Sequence, residues 1–316
     1  MGFLSKMFGL GGKGTIDVIV DKPYYISGEL VAGSLLVQVF EPIDCNEVVI
    51  IVSGNEVVRW PASNSRYEDL SDYIREDEFL QEKVLIKLIL FNVQQQIPPG
   101  NYVYPFEYIL PNDLPGSFDN KKDNGVVAKI TYSITGTLSI DGMLTKDLSK
   151  TIPLNVYEQW NGEIASISNE KSVDVKLLEL FNKGKCNLRI ALDKNVYEPN
   201  EIVMIHCNIL NQAKKGVKSI QFDLIQTVKA NIRTYCTLAK IMCTATFPGT
   251  PASSEISQVF SFQLKDDGLY PSTHGQVLTC SYRIEMTCTI PFCPDIILAL
   301  PITITMPSHV PSELYE

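Results

Sequence analysis

Residues 98–118, PPGNYVYPFEYILPNDLPGSF, decide how the rest of the chain is read. Tyr102, Tyr104, Phe106, Tyr108 and Leu110 alternate with Asn101, Val103, Pro105, Glu107 and Ile109, the period of two that turns one face of a strand toward a core. Pro98, Pro99 and Gly100 form the turn that launches this strand, and the segment Pro111 to Gly116 closes it with two prolines that have no amide to donate. Pro105, inside the run, predicts an edge strand or a bulge, because a central strand would lose a ladder bond there.

Working outward, residues 15–157 read almost entirely as short strands. IDVIVD, ELVAGSLLVQVF, EVVIIVSGNEVVRW, EKVLIKLILFNV, VVAKITYSITGTLSI and TIPLNVY are apolar or alternating runs rich in Val, Ile, Tyr and Phe. Such a series predicts a β-sandwich. One long acidic connection, 61–82, interrupts it, and loops of that length are either solvated or collect binding residues. From 158 to 185 the character changes, with polar ISNEKS followed by VDVKLLELF and NKGK, a linker with room for a short helix or an edge strand. Strands resume over 186–307, from NLRIALDKNVYEPNEIVMIHCNIL to ALPITITM, and 308–316 is a short stub.

The two strand-rich halves repeat one another. Tyr25, Gly28, Glu29 and Val31 fall on Tyr197, Asn200, Glu201 and Val203 at an offset of 172. Pro115 answers Pro271 at 156, Tyr132 and Ile134 answer Tyr282 and Ile284 at 150, and Pro153 answers Pro301 at 148. Order is kept while the offset shrinks, as expected of two copies of one sandwich with shorter loops in the second. Gly28 and Asn200 are the residue types that accept positive φ most readily, which places a turn at each.

With 45% apolar and 20% charged residues in 316, the chain can bury a large core. A net charge of −9 argues against nucleic acid as a partner. No apolar run reaches the length of a membrane span, and MGFLSKMFGLGGK lacks the apolar centre and cleavage site of a signal peptide, so a cytoplasmic protein is expected. The eight cysteines form no CxxC, most fall in strand-like runs, and the three histidines lie in unrelated contexts. Reduced core thiols are expected, with no metal and no cofactor. GLGGKG at 9–14 precedes the first strand and leads into no helix, so it is not a phosphate-cradling loop. No nucleophile is found with its base, and the chain reads as non-enzymatic.

Residues 1–14 form a segment of their own. Gly2, Phe3, Leu4, Lys6, Met7 and Phe8 would make an amphipathic membrane anchor if 2–10 became helical, or else pack against the first sheet. Gly2 invites N-myristoylation, but the motif wants Ser or Thr where this chain has Lys6.

Taken together, Y-x-x-G-E-x-V-x-G from Tyr25, the YPFEYILPNDLPGSF block, ITYSITGTL, then YEPNE, ILNQ, LYPSTHG, SYRIEM and ALPITI resemble the arrestin family over roughly residues 15–307. The likeness is greater to the α-arrestin, or arrestin domain-containing, branch. It implies an all-β arrestin fold of two tandem immunoglobulin-like sandwiches, an N-domain and a C-domain, without catalysis. It further implies an adaptor or scaffold in protein transport at membranes, at the plasma membrane or endosomes, for example in endocytosis. Protein partners such as cargo tails and trafficking machinery would be held through loops and sheet edges. The alternative within the same architecture is a retromer-type structural subunit of an endosomal coat.

Departures from the family pattern bear on partners. No PPxY motif occurs, so recruitment of ubiquitin ligases by that route is not expected. LLELF from Leu177 lacks the closing acid of a clathrin box. Receptor-binding arrestins sense phosphate with a lysine pair near the first strand, whereas here Lys13 stands next to it without an adjacent lysine. Lys183, Lys185 and Arg189, or Lys214, Lys215 and Lys218, would suit acidic lipid headgroups, though solvated turns use the same residues.

Overall fold

A computed structural model describes residues 12–61, 76–91, 95–141, 146–178, 180–231, 235–265 and 268–306. The chain divides into two units, Met1–Gln159 and Trp160–Glu316. The first contains β1 (Gly14–Val20), β2 (Tyr25–Ile26), β3 (Leu30–Val39), β4 (Ile43–Pro61), β5 (Glu76–Phe91), β6 (Gln95–Ile97), β7 (Gly100–Ile109), β8 (Phe118–Asp119), β9 (Val127–Ile140), β10 (Leu148–Leu154) and β11 (Val156–Tyr157). The second contains β12 (Ile167–Leu177), β13 (Phe181–Leu192), β14 (Val196–Tyr197), β15 (Ile202–Asn211), β16 (Ser219–Asn231), β17 (Tyr235–Pro248), β18 (Ser254–Gln263), β19 (Thr273–His274), β20 (Leu278–Thr289) and β21 (Ile296–Ile304). One short 3₁₀ turn, Asp123–Gly125, accompanies them, and no α-helix occurs among the described residues.

Each unit is a sandwich. In the first, the sheet β1-β3-β7 packs on β10-β9-β4-β5, with β6 and β8 added to β4 and β9. The sheets approach so closely at Gly136 of β9 that a Cβ there would lie 2.2 Å from Leu35 Cδ1 of β3. In the second, β12-β13-β15-β18 packs on β14-β21-β20-β16-β17. Alternation drives both: inward Leu188, Ile190 and Leu192 on β13 and Ile284, Met286 and Cys288 on β20 are buried while their neighbours are not. Cys207 Sγ on β15 meets Met286 Sδ of the facing sheet at 3.6 Å. All eight cysteines are free and five are buried; burial pushes Cys207 and Cys280 up to about 12.

The repeat inferred from sequence is written into the hydrogen bonds. Gly28 (φ 89°) and Asn200 (φ 66°) hold the same left-handed turn. In each turn the glutamate that follows accepts from a backbone amide at 3.0 Å, Glu29 from Ile26 and Glu201 from Glu198. Lys22 and Lys194 lie over the rings of Tyr25 and Tyr197, at 5.7 and 5.0 Å. Tyr132 donates to Pro115 O and Tyr282 to Tyr270 O, both at 2.7 Å. Ser117 and Ser272 each accept, through Oγ at 3.0 Å, from the amides of Val156 and Ile304. These bonds equate Pro115 with Tyr270, one residue away from the Pro115–Pro271 match that identity alone suggests.

The stretch 98–118 forms β7 and the turn after it. β7 is an edge strand, as Pro105 predicts. Leu110 N donates to Glu29 O (2.9 Å), so even-numbered residues face the ladder and the Pro105 nitrogen faces outward, where no bond is lost. Phe106 and Leu110 are buried, whereas Tyr102, Tyr104 and Tyr108 are half-buried, since an outer strand has a neighbour on one side only.

Two elements extend beyond their sequence readings. Residues 76–82, inside the long acidic connection, are strand, pairing Glu76 with Pro61 and Asp77 with Trp60; residues 62–75 lie outside the described set. Residues 167–177, inside the segment read as a linker, form β12, the edge strand antiparallel to β13. Asn169 Nδ2 and Lys171 Nζ reach Ala299 O (3.0 Å) and Ile297 O (3.3 Å) on β21, fastening β12 to the facing sheet.

Candidate functional site

Lys183 and Lys185 stand at the start of β13, Lys214 and Lys215 in the connection leaving β15, and Lys218 just before β16. Antiparallel pairing of β13 with β15 brings the first four together, although about thirty residues separate them. Gln212 N donates to Lys185 O (2.9 Å) and Lys214 N to Lys183 O (2.8 Å). Lys218 N donates to Thr289 O (2.7 Å), at the end of β20. All five lysines therefore occupy one end of the second unit.

Asn211, the last residue of β15, builds this connection from inside. Its side chain is 1% exposed. Its amide donates to Lys215 O (2.8 Å) and Pro251 O (3.1 Å), and its oxygen accepts from Ala213 N (3.0 Å). Both amide protons and the oxygen of the buried side chain are engaged, which fixes where Lys214 and Lys215 project. Gly184 (φ 120°) lets β13 pass beneath, since a Cβ there would come 2.7 Å from Gln212 O.

Apolar side chains share this edge. Leu178 and Leu180, in the turn from β12 to β13, and Phe181, which opens β13, are 63%, 78% and 58% exposed, and Phe292, between β20 and β21, is 74% exposed. Leu178 N donates to Phe292 O (2.9 Å), tying the two turns together. Lys183 and Lys215 lie over the rings of Phe181 and Phe292, each 5.8 Å from the centroid. Such contacts contribute about 0.5–1 kcal/mol at exposed positions, enough to bias the ammonium toward its ring. Among the described residues none of the five lysines forms a side-chain ion pair, although Asp174 lies opposite Lys185 and Asp295 follows Phe292 in the second turn. A surface rich in lysine and large apolar groups thus stands on a chain of net charge −9.

Arg189 does not join them. It lies farther along β13, opposite Glu170, in an open cleft of about 400 Å³ that Asn187 and Asn208 also line. Gly2, Phe3, Leu4, Lys6, Met7 and Phe8 lie outside the described residues. From sequence, LLELF is weighed only as a clathrin box, and Phe292 is not singled out. The available signals were LLELF running directly into basic NKGK, and Phe292 held in a turn between Pro291 and Pro294. Among the described residues no group of three His, Cys, Asp or Glu side chains is placed to hold a metal ion, and no helix is long and apolar enough to cross a membrane.

Two sandwiches carrying the same hairpin, the same buried tyrosine and the same serine bridge are matched by two family descriptions. Residues 15–154 match the N-terminal domain of arrestin (or S-antigen), and 182–309 match its C-terminal domain. The chain belongs to the arrestin family. Similar proteins include arrestin domain-containing protein A of Dictyostelium discoideum, 27% identical over 96% of this chain and 54% of that protein. Arrestin domain-containing protein B of the same organism is 20% identical over 92% of this chain and 45% of its own length. Human thioredoxin-interacting protein is 24% identical over 95% and 76%. This arrestin-family chain therefore spans about half the length of its two Dictyostelium relatives.

Proposed function

We propose that this arrestin-family protein is a non-catalytic adaptor in intracellular protein trafficking, placed peripherally on an anionic membrane surface at the plasma membrane or endosomes. It would hold cargo tails or coat proteins through its loops and sheet edges. The observation that carries the reading is the convergence of five lysines and four exposed apolar side chains on one end of the second unit. Each lysine near an anionic surface contributes about 1 kcal/mol, and each apolar side chain that enters the headgroup region adds up to about 1.5–3 kcal/mol. The rings of Phe181 and Phe292 and the ammonium groups over them suit the boundary between acyl chains and headgroups. Gly2 to Phe8 would supply a second point of attachment, as stable anchoring generally needs.

Flotation with phosphatidylserine-containing vesicles tests this. The combined variant Lys183→Glu, Lys214→Glu, Lys215→Glu is expected to weaken binding about 100-fold or more at low salt, and Phe292→Ser to weaken it with little change in salt dependence. Deleting residues 2–10 is expected to weaken it further. Unchanged flotation by the triple variant would refute the edge as the contact.

A further inference from the structure

Sheet edges expose unpaired amides and carbonyls, and their sequences show whether an edge is guarded. β7 carries Pro105; β10 carries Lys150 and Pro153; β12 carries Glu170, Lys171, Asp174 and Lys176 and a break in register between Asp174 and Lys176. β17 carries Lys240 and an extra residue where its register with β16 shifts. β18 has none of these devices. Its ten residues, SEISQVFSFQ, contain one charge, Glu255, and no proline, and they pair with β15 through ten consecutive partners without a shift.

The direction of its backbone groups follows from one bond. Leu264 N donates to Glu201 O (2.9 Å), so even-numbered residues of β18 bond to β15 and odd-numbered ones face away. Side-chain distances agree, since closely approaching side chains belong to non-hydrogen-bonded pairs. Ser257 Oγ lies 2.8 Å from Asn208 Oδ1, and Ser261 Oγ 3.7 Å from Met204 Sδ. Glu255, Ser257, Val259, Ser261 and Gln263 thus point their amides and carbonyls off the sheet and their side chains onto its exposed face. Among the described residues one side chain meets this row, Cys243 Sγ, at 3.6 Å from Gln263 O.

We infer that β18 pairs with β18 of a second copy of this chain, antiparallel and centred on Val259, to make one continuous sheet across a two-fold axis. The strand is complementary to itself about that centre. Val259 would exchange both backbone bonds with its own symmetry mate, Ser257 with Ser261, and Glu255 with Gln263, so that no charge meets a like charge. On the opposite face Ile256 would oppose Phe262. Each open amide finds a carbonyl, and Val259 (44% exposed) meets its own mate at the centre of the junction, with Met204 of β15 diagonal to it. This inference does not rest on the membrane edge: the pairing runs along the open side of β18, whereas the lysines stand at the end of the unit where β18 begins.

Sedimentation equilibrium of the purified full chain, from about 1 to about 100 μM, is expected to show a monomer–dimer equilibrium. Val259→Pro is expected to abolish the dimer without unfolding the protein, because the amide it removes bonds to nothing among the described residues; circular dichroism checks the fold. Val259→Lys and Val259→Glu are each expected to be monomeric, and an equimolar mixture of the two to regain the dimer, since only this register sets position 259 against itself. A wild-type chain that stays monomeric throughout the range overturns the inference. So does a dimer that survives Val259→Pro or Val259→Lys, or a mixture that fails to re-form one. An extended peptide captured by the monomeric wild type would identify a different occupant of the same edge and would equally overturn it.

Discussion

Replacing Asn211 with alanine isolates the contribution of one buried amide to the lysine-bearing connection. Three partners lose their bonds at once: Lys215 O, Pro251 O and Ala213 N. At about 1 kcal/mol for each bond lost, the second unit is expected to lose about 3 kcal/mol. A domain of this size shifts by about 2–4 °C for each kcal/mol, so its calorimetric transition should fall by about 10 °C. Because the two units need not melt together, calorimetry is to be combined with amide exchange resolved by segment. Exchange should accelerate most at 211–218 and around Pro251 and Ser253, whose amide bonds Ala213 O at 3.1 Å. Asn211→Asp keeps the acceptor but sets a carboxylate against two carbonyl oxygens, and is expected to be at least as damaging. A shift under about 2 °C, or faster exchange spread evenly over the unit, would show that Asn211 does not organise this region.

Tyr282→Phe is expected to cost about 2–3 kcal/mol and Tyr132→Phe about 1 kcal/mol, measured by denaturant titration of each variant. Both lose a bond to a backbone carbonyl, but Tyr282 also accepts from Gln226 Nε2 (2.7 Å), a 6%-exposed side chain left unpaired by the change. Alkaline pH should destabilise the second unit through its buried thiols. Cys207 and Cys280 rise from an ordinary 9.0 to about 12 when folded, so the unfolded chain releases these protons first. Their stabilisation is complete below about pH 9 and is lost as pH rises toward about 12, visible as a falling melting temperature that cysteine-to-alanine variants flatten. In the native protein at mild pH, Cys236, Cys243 and Cys293 should alkylate before the five buried cysteines, read by mass spectrometry of labelled peptides.

How much of this was legible in the sequence depended on whether a residue's role is local. The turn at Gly28 and Asn200 was legible because positive φ is a property of single residues, and Pro105 marked an edge because a missing amide is too. The Asp21–Lys22 and Asp193–Lys194 pairs preceding the two hairpins were overlooked, although they continue the same offset. β12 was ambiguous for a physical reason: an outer strand with most of its residues in solvent has no hydrophobic alternation, and its bonds to Ala299 and Ile297 come from polar side chains. The lysines could be named but not assembled, because Lys183 meets Lys214 only through the β13–β15 register. The apolar half of that edge was legible only as the motif LLELF; Phe292 was hidden by the usual expectation that phenylalanine goes inside.

The short parallel pairs have a bearing on how the protein is made. β2 lies beside β11 and β14 beside β21, with Tyr25 N bonded to Asn155 O and Ser27 N to Tyr157 O at 2.9 Å, and Thr305 N to Tyr197 O at the same distance. In each half, residues from the beginning are fastened to residues from the very end. During synthesis the first fastening cannot form until Tyr157 has left the ribosome, nor the second until Thr305 has. A truncation that stops short of either point removes the fastening along with the strand.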